Sequence, residues 1–272
     1  MGIFSVVEAQ EGGVREPSSP QESRSDFSAE IDKQIQTIRQ TYQLQVVYKE
    51  PPALRDARFH FTLANPGNYD LVNRYLVLLQ EELAKYPAPF LAQMPSRKIY
   101  VVEKVFWGEQ GVEGFCVSHK DMIIFDFLRS SRNALQQRHN IHHEMFHVVD
   151  LQASHSLRND LTGKWQELTK NFPYIYERSQ RRLSQNSQLF TPPYPGFVTE
   201  YAMSSMDEDQ AEVFGCLFIG SQSKILHRWI NDDEILRAKV DFIKKFLYDF
   251  CKDLNEDYWD SNFQIKNKGE TH

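Results

Sequence analysis

The sequence predicts an α+β fold: a small mixed sheet with an exposed edge strand, a long helix packed on it, and a mainly helical C-terminal part. Three observations carry this prediction. Short apolar runs gather between residues 98 and 127, as strands do. A helical run at about Asn133–Leu151 follows them and gathers histidines on one face. Beyond Gly196, two long stretches repeat apolar residues at helical spacing. With 41% hydrophobic and 13% aromatic residues the chain can build a sizeable core. Its net charge of −6 offers no basic field to nucleic acid. No apolar run reaches the ~20 residues that a membrane span needs. Cys116, Cys216 and Cys251 are odd in number and far apart, so they make neither a disulfide framework nor a C-x-x-C zinc pair.

Residues 1–27 are rich in Gly, Ser, Pro, Glu and Gln and read as a disordered tail. Residues 28–260 read as a single domain, and 261–272 as a polar tail. The N-terminus lacks a basic segment followed by a long apolar core. The expected location is therefore cytoplasmic, or exported without a recognisable signal or after removal of one. Ile31, Ile35 and Ile38 repeat at helical spacing, and Leu44–Tyr48 reads as a strand. A helix over Tyr69–Tyr86 carries Leu71, Tyr75, Leu78, Leu79 and Leu83, and Pro87 and Pro89 end it. Lys98–Val105, Gly114–Ser118 and Met122–Phe127 are predicted strands, the last two a hairpin turning at His119-Lys120-Asp121. After the histidine helix come a helix at 159–171 and a long proline-containing stretch to Gly196, whose length marks a functional or structured loop. Helices over Asp207–Ile219 and Asp232–Asp253 close the domain.

The run His143-Glu144-Met145-Phe146-His147 carries the chemistry. Residues i and i+4 of a helix share a face, so both imidazoles can offer a nitrogen to one tetrahedral zinc ion. Glu144 stands beside them, placed to take a proton from water. Ile141, Met145, Val148 and Val149 fall on the opposite side, giving the helix an apolar back and a polar front. His139 shares the stripe of His143 and is an alternative partner, though without a glutamate directly after it. His142 points about 100° away and reads as a flank residue. Asp150 lies on the front face, either supporting a ligand or solvated. A catalytic zinc takes three protein ligands. The metzincin pattern needs Gly three and His or Asp six residues after the second histidine, and Asp150 and Ala153 stand there instead. The third ligand is then a carboxylate on a later helix. Glu208 and Glu212 share a face, with Val213, Phe214 and Leu217 on the other, and Gly215 permits a close approach. Spacing alone leaves open which glutamate binds metal and which accepts the free N–H of a ligand histidine.

This pattern, HExxH with a distant helical E-x-x-x-E, resembles the gluzincin class, which includes thermolysin. Tyr201-Ala202 ahead of Glu208–Phe214 is similar to the catalytic domain of anthrax lethal factor and its relatives, where a tyrosine precedes the ligand glutamate by seven residues. The run from Pro195 to Phe214 is also similar to bacterial zinc-binding metallopeptidases. The resemblance spans roughly Lys98–Phe218. The long interval between His147 and Glu208 departs from it and leaves the substrate unspecified. It implies a zincin-like fold and one Zn2+ per chain on His143, His147 and Glu208, with Glu212 and Asp150 behind the ligands. Glu144 would be the general base, Tyr201 would donate its hydroxyl to the developing oxyanion, and the substrate would be a peptide or protein. An extended peptide would add to the edge strand at Phe115, Cys116 and Val117. Two other readings stay open: a toxin-like effector, and an inactive zinc-stabilised protein-binding module. An intact Glu144 argues against the second.

Overall fold

The first helix, α1 (Pro20–Tyr42), opens on a proline, whose missing N–H goes unused in a first turn. The computed structural model describes residues 20–54, 56–94, 98–117, 122–129, 131, 133–172, 174 and 195–263, with side chains from Phe27 onward. α1 thus reaches back into the stretch expected as tail. It buries Ile31 and Ile38 and packs on α2 (Tyr69–Leu83). α2 is shorter than the predicted 69–86, and Pro87 caps a separate short helix, α3 (Ala88–Ala92).

Seven strands form two sheets among the described residues: β1 (Gln45–Val47), β2 (Phe59–Thr62), β3 (Lys98–Val102), β4 (Lys104–Trp107), β5 (Gln110–Val112), β6 (Gly114–Val117) and β7 (Met122–Asp126). The larger sheet runs β1-β3-β7-β6, with β1, β3 and β7 parallel and β6 antiparallel on the outside. Its inner strands are buried on both faces, which is why Lys98–Val102 and Met122–Asp126 read as continuous apolar runs. Alternation divides their side chains. Ile99, Val101, Ile123 and Phe125 join the main core with the helices. Tyr100, Val102, Met122 and Ile124 face the other way, into a small core roofed by Phe61, Val112 and Phe115.

The predicted strand 98–105 is two strands in different sheets. The chain leaves the first at Glu103, whose N–H donates to Thr62 O and whose carboxylate accepts from Asn65 and Asn68 at 2.8 and 3.0 Å. β4 then joins β2 and β5 in an antiparallel three-stranded sheet that the apolar pattern did not announce. The hairpin of β6 and β7 forms as predicted in pairing, and its turn lies outside the described residues.

Helices make up the rest: α4 (Ala134–Gln152), α5 (His155–Thr169), α6 (Met206–Phe218), α7 (Gly220–Asp232), α8 (Glu234–Phe250) and α9 (Glu256–Phe263). Asn133, Ser154, Ser205 and Asp233 cap α4, α5, α6 and α8 with side-chain oxygens. α7 and α9 were not anticipated, and α9 runs past residue 260. Most of the stretch predicted as a loop before Gly196 lies outside the described residues. The chain is therefore α+β, with a mainly helical C-terminal part. No described helix is long and apolar enough to cross a membrane.

Candidate metal centre

α4 passes beside β6 and β7 and takes α6 against its histidine side. The approach is close at Gly215. A Cβ there would lie 2.8 Å from the ring carbon Cε1 of His139, so a glycine is what lets α6 reach α4. α4 carries His143, Glu144, His147 and Asp150 on a cavity wall and buries its apolar back, and the neighbouring helices bury much of the polar side as well. Ile141, Met145, Val148 and Val149 are buried, but so are His139, His142, His143 and Glu144, because α6 and α2 enclose the other faces.

Three side-chain atoms converge where α4 meets α6. His143 Nε2 lies 3.2 Å from His147 Nε2, and Glu208 Oε2 lies 2.9 Å and 3.5 Å from these two nitrogens. With ligand bonds of about 2.0–2.2 Å, the edges of a tetrahedral zinc site measure about 3.3–3.5 Å, a spacing these separations bracket. Glu208 Oε2 is buried and makes no well-directed hydrogen bond despite its two imidazole neighbours. Buried polar atoms are normally partnered, so an oxygen in this state beside two imidazoles stands out. Burial opposes charge on all three groups. Proximity wins, holding the Glu208 carboxyl well below its usual range and pushing His143 and His147 up. The centre between them thus favours positive charge.

Glu212, one turn on, is committed elsewhere. Its Oε1 accepts from His143 Nδ1 at 2.8 Å and His139 Nε2 at 3.0 Å, and its Oε2 accepts from the Thr199 hydroxyl at 2.7 Å. Thr199 in turn accepts the N–H of Ala202 at 3.0 Å. His139 Nδ1 faces Gln222 Oε1 at 2.9 Å. Burial alone would lower the His139 pKa, but Glu212 and Cys216 outweigh it and push it up to about 10. His139, His143 and Glu212 also lie close enough to hold a metal, as do His143, His147 and Glu208. The first group is almost wholly buried, whereas the second borders a cavity of about 440 Å³ that also touches Glu144, Tyr201 and Asp150.

A family model described as "Putative zinc-binding metallo-peptidase" matches residues 28–255. The chain belongs to this family. A solved structure from Bacteroides caccae ATCC 43185, described as "a putative zinc-binding metallo-peptidase", is similar at 14% identity and a TM-score of 0.46. The similarity covers 88% of this chain and 93% of that one. A search of the curated proteins found no match.

The other residues singled out in the sequence fall as follows in this family member. Glu144 is buried, accepts from the Cys116 backbone, and has one oxygen, Oε2, without a partner. Desolvation raises its pKa, opposed by the neighbouring histidines. Tyr201 sits in a short 3-10 turn (Tyr201–Met203), its ring 5.8 Å from that of His143, and burial, with the Glu208 charge beside it, pushes its pKa well up. Asp150 lines the cavity and pairs with Arg158 at 3.5 Å. Phe115 and Cys116 line the same cavity, whereas Val117 is buried in the small core behind. His142, expected on a flank, is buried: Nδ1 meets the Tyr86 hydroxyl at 2.5 Å and Nε2 meets Glu82 at 2.6 Å. Sequence reasoning missed Thr199 and Gln222 behind the ligands, and Phe59 and Trp107 on the cavity wall. One readable signal was the Ser205-x-x-Glu208 spacing of a capping box. Ser205 does cap the helix, accepting the Glu208 N–H at 3.2 Å, while the Glu208 carboxylate faces the histidines.

Proposed function

We propose that this chain is a zincin-like peptidase of the gluzincin type, with one zinc ion held by His143, His147 and Glu208 and with Glu144 as general base. The observation that carries this reading is the convergence of the three ligand atoms at 2.9–3.5 Å on the wall of an open cavity. Glu208 is favoured over Glu212 because its Oε2 is without a hydrogen bond, while both Glu212 oxygens are engaged. Bound there, zinc supplies Lewis acidity, which acidifies water and polarises a carbonyl. Glu144 takes the proton of the attacking water on its free Oε2 and returns it to the leaving amine. Tyr201, on the same cavity wall, donates its hydroxyl to the carbonyl oxygen as charge develops there. Glu212 accepts the His143 Nδ1–H, which fixes the tautomer and aims Nε2 at the centre. Asp150, held by Arg158, lends negative charge to the same wall. The substrate is a peptide or protein, extended antiparallel along the outer edge of β6.

Zinc analysis and casein cleavage test this together. The wild type should hold one zinc per chain, and Glu144→Gln should keep it while losing about 10²–10⁴-fold in cleavage. A wild type that binds zinc but cleaves neither casein nor a peptide library would place the chain among binding modules. A wild type without zinc overturns the reading.

A further inference from the structure

The cavity has a second wall that the hydrolytic groups do not use. It belongs to the three-stranded sheet. Phe59 on β2 and Trp107 on β4 are cross-strand partners, so their side chains stand on one face. Phe59 stacks on Phe115 of β6, ring centroids 4.4 Å apart. The result is a row Trp107-Phe59-Phe115 that runs from the small sheet to the strand beside Glu144. Trp107 is 42% exposed, and Leu151 across the cavity is 43% exposed. Five large hydrophobic side chains are exposed among the described residues, and two of them flank this one cleft. Uncovered apolar surface gathered at a concave site marks a place where something apolar binds.

Besides Glu208 Oε2, the same cleft carries two further buried polar atoms without partners, Glu144 Oε2 and Gln210 Nε2. The occupant must therefore bring polar groups as well as apolar ones, as a peptide does. The lining includes Glu144, Asp150, Asp207 and Glu208 and has no Lys or Arg. Arg58 stacks on the Trp107 ring, its guanidinium carbon 5.2 Å from the ring centroid, as a cation does on an aromatic face.

We infer that the Trp107-Phe59-Phe115 row is a subsite for a large apolar side chain, aromatic above all, of a peptide lying along β6. This rests on the peptidase reading for the peptide's course. The geometry places the subsite within a few residues of the scissile bond, since Phe115 and Cys116 are neighbours on the strand that reaches Glu144.

The test is calorimetric binding of blocked pentapeptides, Ser-Gly-Xaa-Gly-Ser with Xaa Phe, Lys or Asp. They are titrated into the full chain carrying Glu144→Gln, zinc-loaded and zinc-free. The Phe peptide should bind about tenfold more tightly than the Asp peptide, the scale expected for partial burial of one phenyl ring. Adding Trp107→Ala should erase that preference while zinc content stays the same, and Trp107→Phe should restore most of it. Trp107 is 42% exposed and belongs to neither buried core, so these variants leave the core intact. Equal binding of the Phe and Asp peptides, no binding of any, or an undiminished preference in Trp107→Ala overturns the subsite. So does concentration-dependent dimerisation that Trp107→Ala abolishes, since a second copy would then be the occupant. A chain that holds no zinc yet prefers the Phe peptide removes the peptidase reading and leaves the subsite standing.

Discussion

Glu208 and Glu212 lie one turn apart on α6 and face the same helix, but their oxygens are in different circumstances. Glu212 accepts two imidazole N–H groups and a hydroxyl, while Glu208 Oε2 accepts none. Their losses should differ in kind. Glu208→Gln should release zinc under mild chelation, because two histidines remain. Glu212→Gln should retain the ion with affinity or activity weakened about 10–100-fold. Metal content after dialysis against a weak chelator separates the two, and a zinc-free Glu212→Gln beside a zinc-bound Glu208→Gln would reverse the assignment. The pair itself was legible in the sequence, since i, i+4 spacing is a local property of a helix. Their order came from a tyrosine seven residues upstream, because sequence carries no record of which lone pairs are already taken.

At the scale of elements, α4 is held from several sides. Glu82 of α2 has a side chain with no exposure, and it accepts from His142 and Arg138 of α4 and from Lys85. Lys85 also donates to Phe218 O at the end of α6, so one carboxylate ties three helices together around the site. Burial alone would raise its pKa, but His142 and Lys85 prevail and bring it down to about 2. Arg138 acts in the same sense. A depressed carboxyl contributes stability that is full above its unfolded pKa near 4.3 and fades as pH falls towards the folded value. Glu82→Gln should cost about 3–5 kcal/mol at pH 7, since it strands buried donors. In urea melts the gap between wild type and variant should narrow from about pH 4.5 down to pH 2. A gap that stays constant across that range would show that Glu82 acts through shape and not charge.

The whole molecule brings its C-terminal helices to the site through a buried ion pair. Lys239 of α8 donates to Asp209 and to Gly196 O, each at 2.6 Å, and both charged side chains are fully buried. Asp209 also accepts from Trp165 at 2.8 Å and Tyr174 at 2.7 Å, so α5, α6 and α8 meet at the residue next to Glu208. Gly196 takes a positive φ of 88°, and a Cβ there would come within 2.7 Å of Ile235, so only glycine fits where its carbonyl receives the lysine. Lys239→Met should destabilise by about 3–5 kcal/mol, because it leaves a buried carboxylate without its cation. Asp209→Asn added to Lys239→Met should recover part of that loss, and the coupling is read from urea midpoints of the two singles and the double. Strict additivity would mean the two charges do not act as a pair.

By itself the sequence determined what is local. Helical spacing delivered His143, Glu144 and His147 to one helix, and the inner strands announced themselves as unbroken apolar runs. What tertiary structure alone decided lies between distant segments. Phe59 meets Phe115, Thr199 meets Glu212, Lys239 meets Asp209, and His142, a flank residue on any helical wheel, is buried on Glu82. The break at Glu103 belongs here too, since the amides of Asn65 and Asn68 turn one apolar run into strands of two sheets. A periodicity reports which side of an element is apolar, but the element that covers the other side is chosen by packing across the chain. α4 shows the consequence: α6 closes over its polar face, and that closure brings Glu208 to the histidines.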